Sequence, residues 1–515
     1  MYRIAVLLPL AVCAQGLAQG LAQDNSQIAD SLSLAQAIES TLREHPLLRI
    51  QEQQVQFNRG AVLRAQSQFD RSIQSGASVS RTYQPLGEVE RTLYNATSAT
   101  TNYESFDFEA TQQFRSGISA GPMLTVTRTT DNIAAQLGLN QSHVGYQINI
   151  PMLRGRGREV VAAQETASGI EVEASLLDLN QTISDLLFNT AAAYWSAIAA
   201  RRSLEVYREA EARGQLLLDT VRILIEADKI PRSDVSEVQA NLADRTASRI
   251  AADQQLLQAK QQLAVAMGVS SENMLAGRAP TDPLPAATTV PPESDIRAAI
   301  TAALGRRADF LATKKRQREA EVLAGAAKNQ LKPQLDFQFS TGYSGLKDGT
   351  NPQQYLVSPF TGVHGVDLIG GVRYQFPLEN RAAQAGVLQT SSSLLQAGYR
   401  SQESARNIAS AVVVTVEGVR SAVRQLEKVD QSVLYFRTAL DNQREKYRLG
   451  VGSLVEVLTV EDRLTGVLGV EVQAELGYAI ALARLRQATG TIVEPDRAVQ
   501  SVDPGVFLAP PALGR

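Results

Sequence analysis

The chain has 515 residues, enough for two or three ordinary domains or one elongated one, with 5% aromatic residues and a formal net charge of −3. So balanced a charge gives no electrostatic reason to expect nucleic acid as a partner. Good helix formers (Ala, Leu, Gln, Glu and Arg) are abundant, which favours long helices over a compact mixed fold.

Residues 1–22 read as a secretory signal peptide. Arg3 is the short positive region, Ile4 to Val12 the apolar core, and small residues offer cleavage after Ala18 or Ala22. The apolar run is too short to span a membrane, and no later run reaches the roughly 18 apolar residues that a helical span needs. Cys13, the single cysteine, lies inside this segment. Val12 fits poorly before a lipidated cysteine, so plain cleavage is the expectation and lipidation the alternative. Cleavage leaves a mature chain with no cysteine and no disulfide, exported to the envelope or beyond.

The rest of the chain repeats itself. The stretch from His45, HPLLRIQEQQVQFNRG, aligns with that from Arg307, RADFLATKKRQREAEV, and each helical stretch runs into alternating strands. The first repeat, 23–268, reads as a helix over 34–68, strands over 71–84 and 142–152, a long helix over 159–226 and a shorter one over 234–268. Between its strands lies a polar insert, about 86–140, with no counterpart later; Phe114 to Thr129 within it reads as an extra hairpin in a loop, with two further barrel strands as the alternative. A linker rich in Pro and Ala occupies 269–292. The second repeat, 293–489, reads as a helix over 293–330, strands over 334–343 and 366–378, and helices over 381–448 and 454–489. A tail, 490–515, holds several prolines and little periodicity.

The strands are two-faced. Leu335, Phe337, Phe339, Thr341 and Tyr343 oppose Asp336, Gln338 and Ser340; Val144, Tyr146, Ile148 and Ile150 oppose His143, Gln147 and Asn149. A half-buried soluble sheet is the commoner source of such alternation. Here four strands of about ten residues, far apart in sequence, suit tilted membrane strands around a watery lumen. Four strands cannot close a barrel, and an open edge is not tolerated in lipid, so several chains must share one.

The long helices run to roughly 100 Å at 1.5 Å per residue. In the second, Ile408, Val412, Val416, Val419, Val423, Val433 and Leu440 form a narrow apolar stripe of coiled-coil kind. Each long helix ends in a sharp reversal. In RLGVGSLVE, Gly450 and Gly452 supply backbone freedom and Ser453 caps the next helix, with Glu456 at its third position. In the first copy Pro231 pre-sets the turn, Ser233 or Asp234 caps and Glu237 follows. His45, His143 and His364 show no metal-ligand spacing, and RGRGRE (Arg154–Glu159) lacks the Lys-Ser/Thr of a phosphate loop. Neither catalysis, nor a cofactor, nor a metal is expected.

The duplicated layout, LSLAQAIESTLREHPLLRIQ near the start, YQINIPMLRGRG after a strand and YRLGVGSLVEVLTVEDRL near the end resemble the TolC family of outer-membrane channels. Any one of these is ordinary capping chemistry; their order, spacing and repetition, over nearly the whole mature chain, are specific. The resemblance implies an α+β membrane protein. Three copies would share a twelve-stranded outer-membrane barrel, four transmembrane strands per protomer, above a long periplasmic α-helical coiled-coil tunnel. The linker, the mature N-terminus and the tail would form a belt around that tunnel. It also implies a passive exit duct of a tripartite efflux pump or a type I secretion system. Its partners would be a periplasmic adaptor (membrane fusion protein), an inner-membrane transporter and outer-membrane lipid.

Carried over by motif position, Tyr447 matches the family's gating tyrosine, Asp234 the acid of the first reversal, and Glu456 stands where an acidic ring is expected. Pro231, Ser233, Gly450, Gly452 and Ser453 make the turns that would dock the adaptor. The basic gate residue expected two places after Gly450 is Gly452 here, and the second ring acid is Thr459. Arg232 and Arg448 are the candidate cations for Asp234. Asp234 and Glu456 equally suit plain helix N-terminal stabilisation. The rival reading is a soluble periplasmic coiled-coil adaptor, which also uses long helical hairpins.

Overall fold

A computed structural model describes residues 31–133, 135–226, 234–269, 279–286, 296–349, 351, 354, 357–358, 360–493 and 501–511. The expected signal peptide, 1–22, and the expected first helical reversal, 227–233, lie outside them. The chain forms two compact units, and these are not the two repeats. One unit comprises Met1–Glu44, Asn189–Ala286 and Gln425–Ile480; the other comprises His45–Phe188, Ala287–Arg424 and Ala481–Arg515. Each draws on both repeats, because the like elements of the two halves pack side by side within it.

The first repeat opens with a short strand β1 (Ser31–Leu32), then α1 (Leu34–Glu44) and α2 (Pro46–Gln66). The single helix expected over 34–68 is therefore two. Pro46 cannot donate to a preceding turn, so it starts a new helix, and His45 caps that helix through Nδ1, which accepts from the Leu47 amide at 3.2 Å. The sheet strands β2 (Arg71–Pro85), β3 (Ser98–Gln113), β4 (Ser119–Asp131) and β5 (Leu139–Pro151) follow, with a short helix α3 (Glu88–Tyr94) after β2. The long helix α4 (Ala163–Glu226) and the shorter α5 (Asp234–Met267) complete the repeat, and β6 (Ala279–Pro280) lies in the linker. The second repeat runs α6 (Ile296–Arg306), α7 (Ala308–Asn329), β7 (Gln334–Asp348), β8 (Val363–Gln375), α8 (Arg381–Arg448) and α9 (Leu454–Ala488).

The first unit has an aromatic centre. Trp195 and Tyr194 on α4 are fully buried and meet edge to face at 5.2 Å. The Tyr194 hydroxyl lies 2.9 Å from both the Leu32 carbonyl and Asp282 Oδ2 and shares its one proton between them, which ties β1 to the linker segment that holds its parallel partner β6. Burial and the neighbouring Asp282 push the Tyr194 hydroxyl up to about 12, so it stays a donor across the physiological range. The α9 helix is long and apolar enough, by length and average composition, to cross a membrane. Part of its apolar surface is occupied in packing, with Leu458, Val472, Tyr478, Leu482 and Leu485 buried, while Val455 and Val470 are exposed.

Among the described residues the sheet of the second unit has six strands, not four. The order is β2-β3-β4-β5-β7-β8, every pair antiparallel. The polar insert does not form a loop hairpin: it supplies β3 and β4, which lie between β2 and β5. Its residues alternate like those of their neighbours, but with Glu, Asp, Thr and Ser among the aromatics the alternation is faint in composition. Register keeps the two faces separate across the sheet. Ala77, Phe106, Val126 and Val144 fall on one side, and Ser78, Ser105, Thr125 and His143 on the other. The polar side encloses a hollow of about 670 Å³ lined by Ser72, Glu109, Thr111, Gln147, Asn149 and Arg373. Outside the sheet, Arg486 donates to the carbonyls of Ala509 and Pro510, holding the tail with Phe507 buried.

Between α4 and α7 of this unit, Arg316 bridges Glu171 at 2.9 Å and Asp178 at 2.5 Å. Glu319, one turn on, is half-buried beside Glu171. Burial first, then the neighbouring carboxylate, raise it from 4.5 to about 6, against the opposing pull of Arg316. A raised carboxylate contributes stability that is complete below pH 4.5 and is lost as pH rises through about 6. Lowering pH from 7 to 5 should therefore raise the thermal midpoint of the protein in detergent. Glu319→Gln should raise the midpoint at pH 7 and flatten that dependence, as followed by circular dichroism.

Candidate functional site

The described reversal closes by two recognisable devices. At the end of α8 the Val451 amide donates to the Lys446 carbonyl and the Gly450 amide to the Tyr447 carbonyl, each at 3.0 Å. This is a Schellman closure, and it needs the left-handed residue that Gly450 provides at φ 76°. At the start of α9 the Ser453 hydroxyl accepts from the Glu456 amide at 3.3 Å, and Glu456 returns a carboxylate oxygen to the Ser453 amide at 3.4 Å. That is a reciprocal capping box. Glu456 is exposed and also accepts from Gln443 at 2.5 Å.

Tyr447 lies just inside this turn. Its ring packs between two apolar clusters, one centred on Val221, Val238 and Leu458, the other on Val433, Val457 and Leu464. Arg448, one of the two candidate cations for Asp234, is bidentate to Glu445 on its own helix at 2.9 and 2.7 Å. That bond holds the Glu445 carboxyl below its ordinary range. Asp234 is the first residue of α5. Its side chain, and Pro231, Arg232 and Ser233, lie outside the described residues, so the structure brings together Tyr447, Gly450, Gly452, Ser453 and Glu456 only.

Further into the same unit lies a charged cluster that sequence reasoning missed. Arg245 of α5 and Glu461 of α9 are 5% and 2% exposed and meet at 2.9 Å. Arg245 also donates to the Ala210 carbonyl of α4 at 3.0 Å and to Asp462 at 3.1 Å, while Arg444 of α8 pairs with Glu461. One buried pair thus links all four helices. Beside it, burial lowers the affinity of the Arg213 guanidinium for its proton, against the pull of Glu461 and Glu209. A signal was present in the sequence. Arg245 stands one heptad after Val238 and one before Ala252, and Glu461 one heptad after Leu454 and one before Leu468, so each charge interrupts an apolar seam. The histidines do local work: His45 caps α2, and His143 bonds Ser344 at 3.0 Å and Asp367 at 3.2 Å.

Residues 122–269 and 299–491 match the family model described as outer membrane efflux protein. The chain belongs to that family. These are outer-membrane transport channels rather than enzymes, and membership sets the soluble adaptor aside. Solved structures share the fold. The outer-membrane channel OprN is 16% identical with a TM-score of 0.68, covering 89% of this chain and 90% of its own. The Campylobacter jejuni CmeC outer membrane channel is 13% identical with a TM-score of 0.66, covering 90% and 87%. The Vibrio cholerae outer membrane protein VceC is 15% identical with a TM-score of 0.64, covering 89% and 96%. No curated protein matches the sequence. In this outer membrane efflux protein the long helices and the antiparallel sheet together make up that fold.

A buried pair that loses one partner strands the other charge, which costs about 3–5 kcal/mol, whereas replacing both with apolar residues is often neutral. Arg245→Leu and Glu461→Leu should each lower the thermal midpoint sharply, and the double variant should recover most of the loss. Unfolding of the three variants in detergent checks this.

Proposed function

We propose that this chain is one protomer of a homotrimeric outer-membrane duct, the passive exit of a tripartite efflux pump. Export of proteins by a type I system uses the same arrangement, and the family's efflux description favours small-molecule export. The observation that carries the reading is a sheet that, among the described residues, has two unpartnered edges and a polar hollow, on a chain whose two long helices are 64 and 68 residues long. Such an edge cannot stand open in lipid. Helices of roughly 100 Å reach far beyond a bilayer about 30 Å thick.

In this reading β1, the linker and the tail belong to the belt around the tunnel. The reversals at 227–233 and Leu449–Ser453 present the turns to a periplasmic adaptor, and an inner-membrane transporter supplies the energy. Asp234 and Glu456 ring the closed end, with Tyr447 behind them as the gate's packed support. The buried Arg245–Glu461 pair, rather than a basic residue at 452, ties the helices of this end together.

Two outcomes test the reading. Asp234→Asn with Glu456→Gln should raise leak conductance in planar bilayers, and unchanged conductance would leave the two acids only their capping roles. Gly450→Leu with Gly452→Leu places a side chain at φ 76° and another Cβ 3.1 Å from that of Lys446. Export should fail while trimers remain in the membrane on native gels; intact export would refute docking at these turns.

A further inference from the structure

The geometry points to an outer-membrane barrel of eighteen strands, six per protomer, sealed between copies by β2 of one chain against β8 of the next. This rests on the trimeric duct proposed above and changes what its mouth is made of.

The first support is that the β3–β4 hairpin spans the whole height of the sheet. Every residue from Arg71 to Pro85 on β2 has a partner on β3, from Gln112 to Ser98. On the far side, β4 pairs with β5 from Ser119↔Asn149 to Thr129↔Leu139. Among the described residues β2 and β5 are not paired with each other, as four strands alone would require; β3 and β4 stand between them.

The second support is the position of the hairpin's turn. Residues 114–118 close through the Gly117 amide on the Phe114 carbonyl at 2.8 Å, with Gly117 at φ 97°. That turn is fastened at the helical end of the sheet. Arg115 forks onto Glu165, near the start of α4, at 2.8 and 2.7 Å. The same guanidinium lies 4.6 Å over the Phe69 ring, at the end of α2, and the Gly157 amide donates to the Ser116 carbonyl at 2.9 Å. A hairpin belonging to an outer loop would have its turn at the opposite end, beside residues 132–138.

The third support is face parity. Phe106 and Phe108 of β3 and Leu124 and Val126 of β4 continue the apolar side; Asp107, Glu109, Thr125 and Thr127 continue the polar side. Gln147 of β5 bonds Glu109 of β3 across the intervening strand on that polar side. Gly121 allows the approach, since a Cβ there would lie 1.6 Å from the Ala110 carbonyl oxygen.

What then covers the edges is a second copy of this chain. Among the described residues β2 and β8 are the outermost strands, 15 and 13 residues long. The first runs away from the helical end and the second towards it, so they meet antiparallel, like every other pair in the sheet. Ile73 and Val79 on β2 and Val366, Leu368 and Val372 on β8 are exposed on one face. Joined edge to edge, they carry a single apolar band around the ring. With strands about 4.8 Å apart and tilted about 40°, eighteen give a backbone diameter of about 36 Å against about 24 Å for twelve. Barrels of that strand number hold an open aqueous channel, so the mouth admits bulkier cargo than a twelve-stranded one.

The test is cryo-electron microscopy of the full-length chain in lipid nanodiscs, with thiol labelling in intact outer membranes. Three-fold particles with eighteen strands are expected. Three-fold particles with twelve overturn this inference and leave the duct standing; particles without three-fold symmetry overturn the duct and the strand count with it. For labelling, the only native cysteine is Cys13. A water-soluble maleimide should modify Asp107→Cys and Glu109→Cys and spare Phe106→Cys and Phe108→Cys until detergent is added. Equal labelling of all four before detergent overturns it.

Discussion

A backbone amide in hydrocarbon has no water to bond, so each one must find a partner within protein. That constraint organises the sheet-bearing unit. Four of its six strands are satisfied on both sides within one chain, and the outer two carry the unspent donors and acceptors of β2 and β8. Hydrocarbon also selects apolar side chains on the face that meets it: Ile73, Val79, Val366 and Leu368 are exposed on one side in the single chain. In water such a patch marks a site of association; around a barrel it meets lipid.

The helical unit solves a different problem. Seams of Val, Leu and Ala give cohesion without direction, because apolar packing tolerates sliding by a turn. Arg245 and Glu461 remove that freedom, since each buried charge is satisfied in one register only. Their links to Ala210, Asp462 and Arg444 fix α4, α5, α8 and α9 at one level. A buried pair adds little stability over an apolar alternative, and specification of register is its better-attested use. The capped reversal at Gly450 and Ser453 complements it by setting where α8 ends and α9 begins.

Local chemistry was legible where one residue type decides the backbone. Gly450 at a helix C-terminus and Ser453 with Glu456 three places on needed only their neighbours, and the alternation of 334–343 needed only its period. The break at His45–Pro46 was equally readable and was overrun by the helical periodicity on either side. The insert was harder. SATTNYESFDFEATQQ alternates Phe with Asp and Glu, which suits a lumen-facing strand and a solvated loop alike. Only its pairing with β2 and the anchoring of Arg115 on Glu165 distinguish the two. Arg245 and Glu461 interrupt apolar seams, which marks them as unusual, but nothing in one helix reveals which partner each faces.

By itself the sequence determined the elements: which stretches are helical, where they reverse, which strands have two faces, and that the plan is duplicated. These follow from periodicity and capping, which act over a few residues. The tertiary structure alone decided how many strands stand side by side, which edges stay open, and which charges are buried together. Those depend on contacts between residues far apart in the chain, whose energies no local pattern encodes.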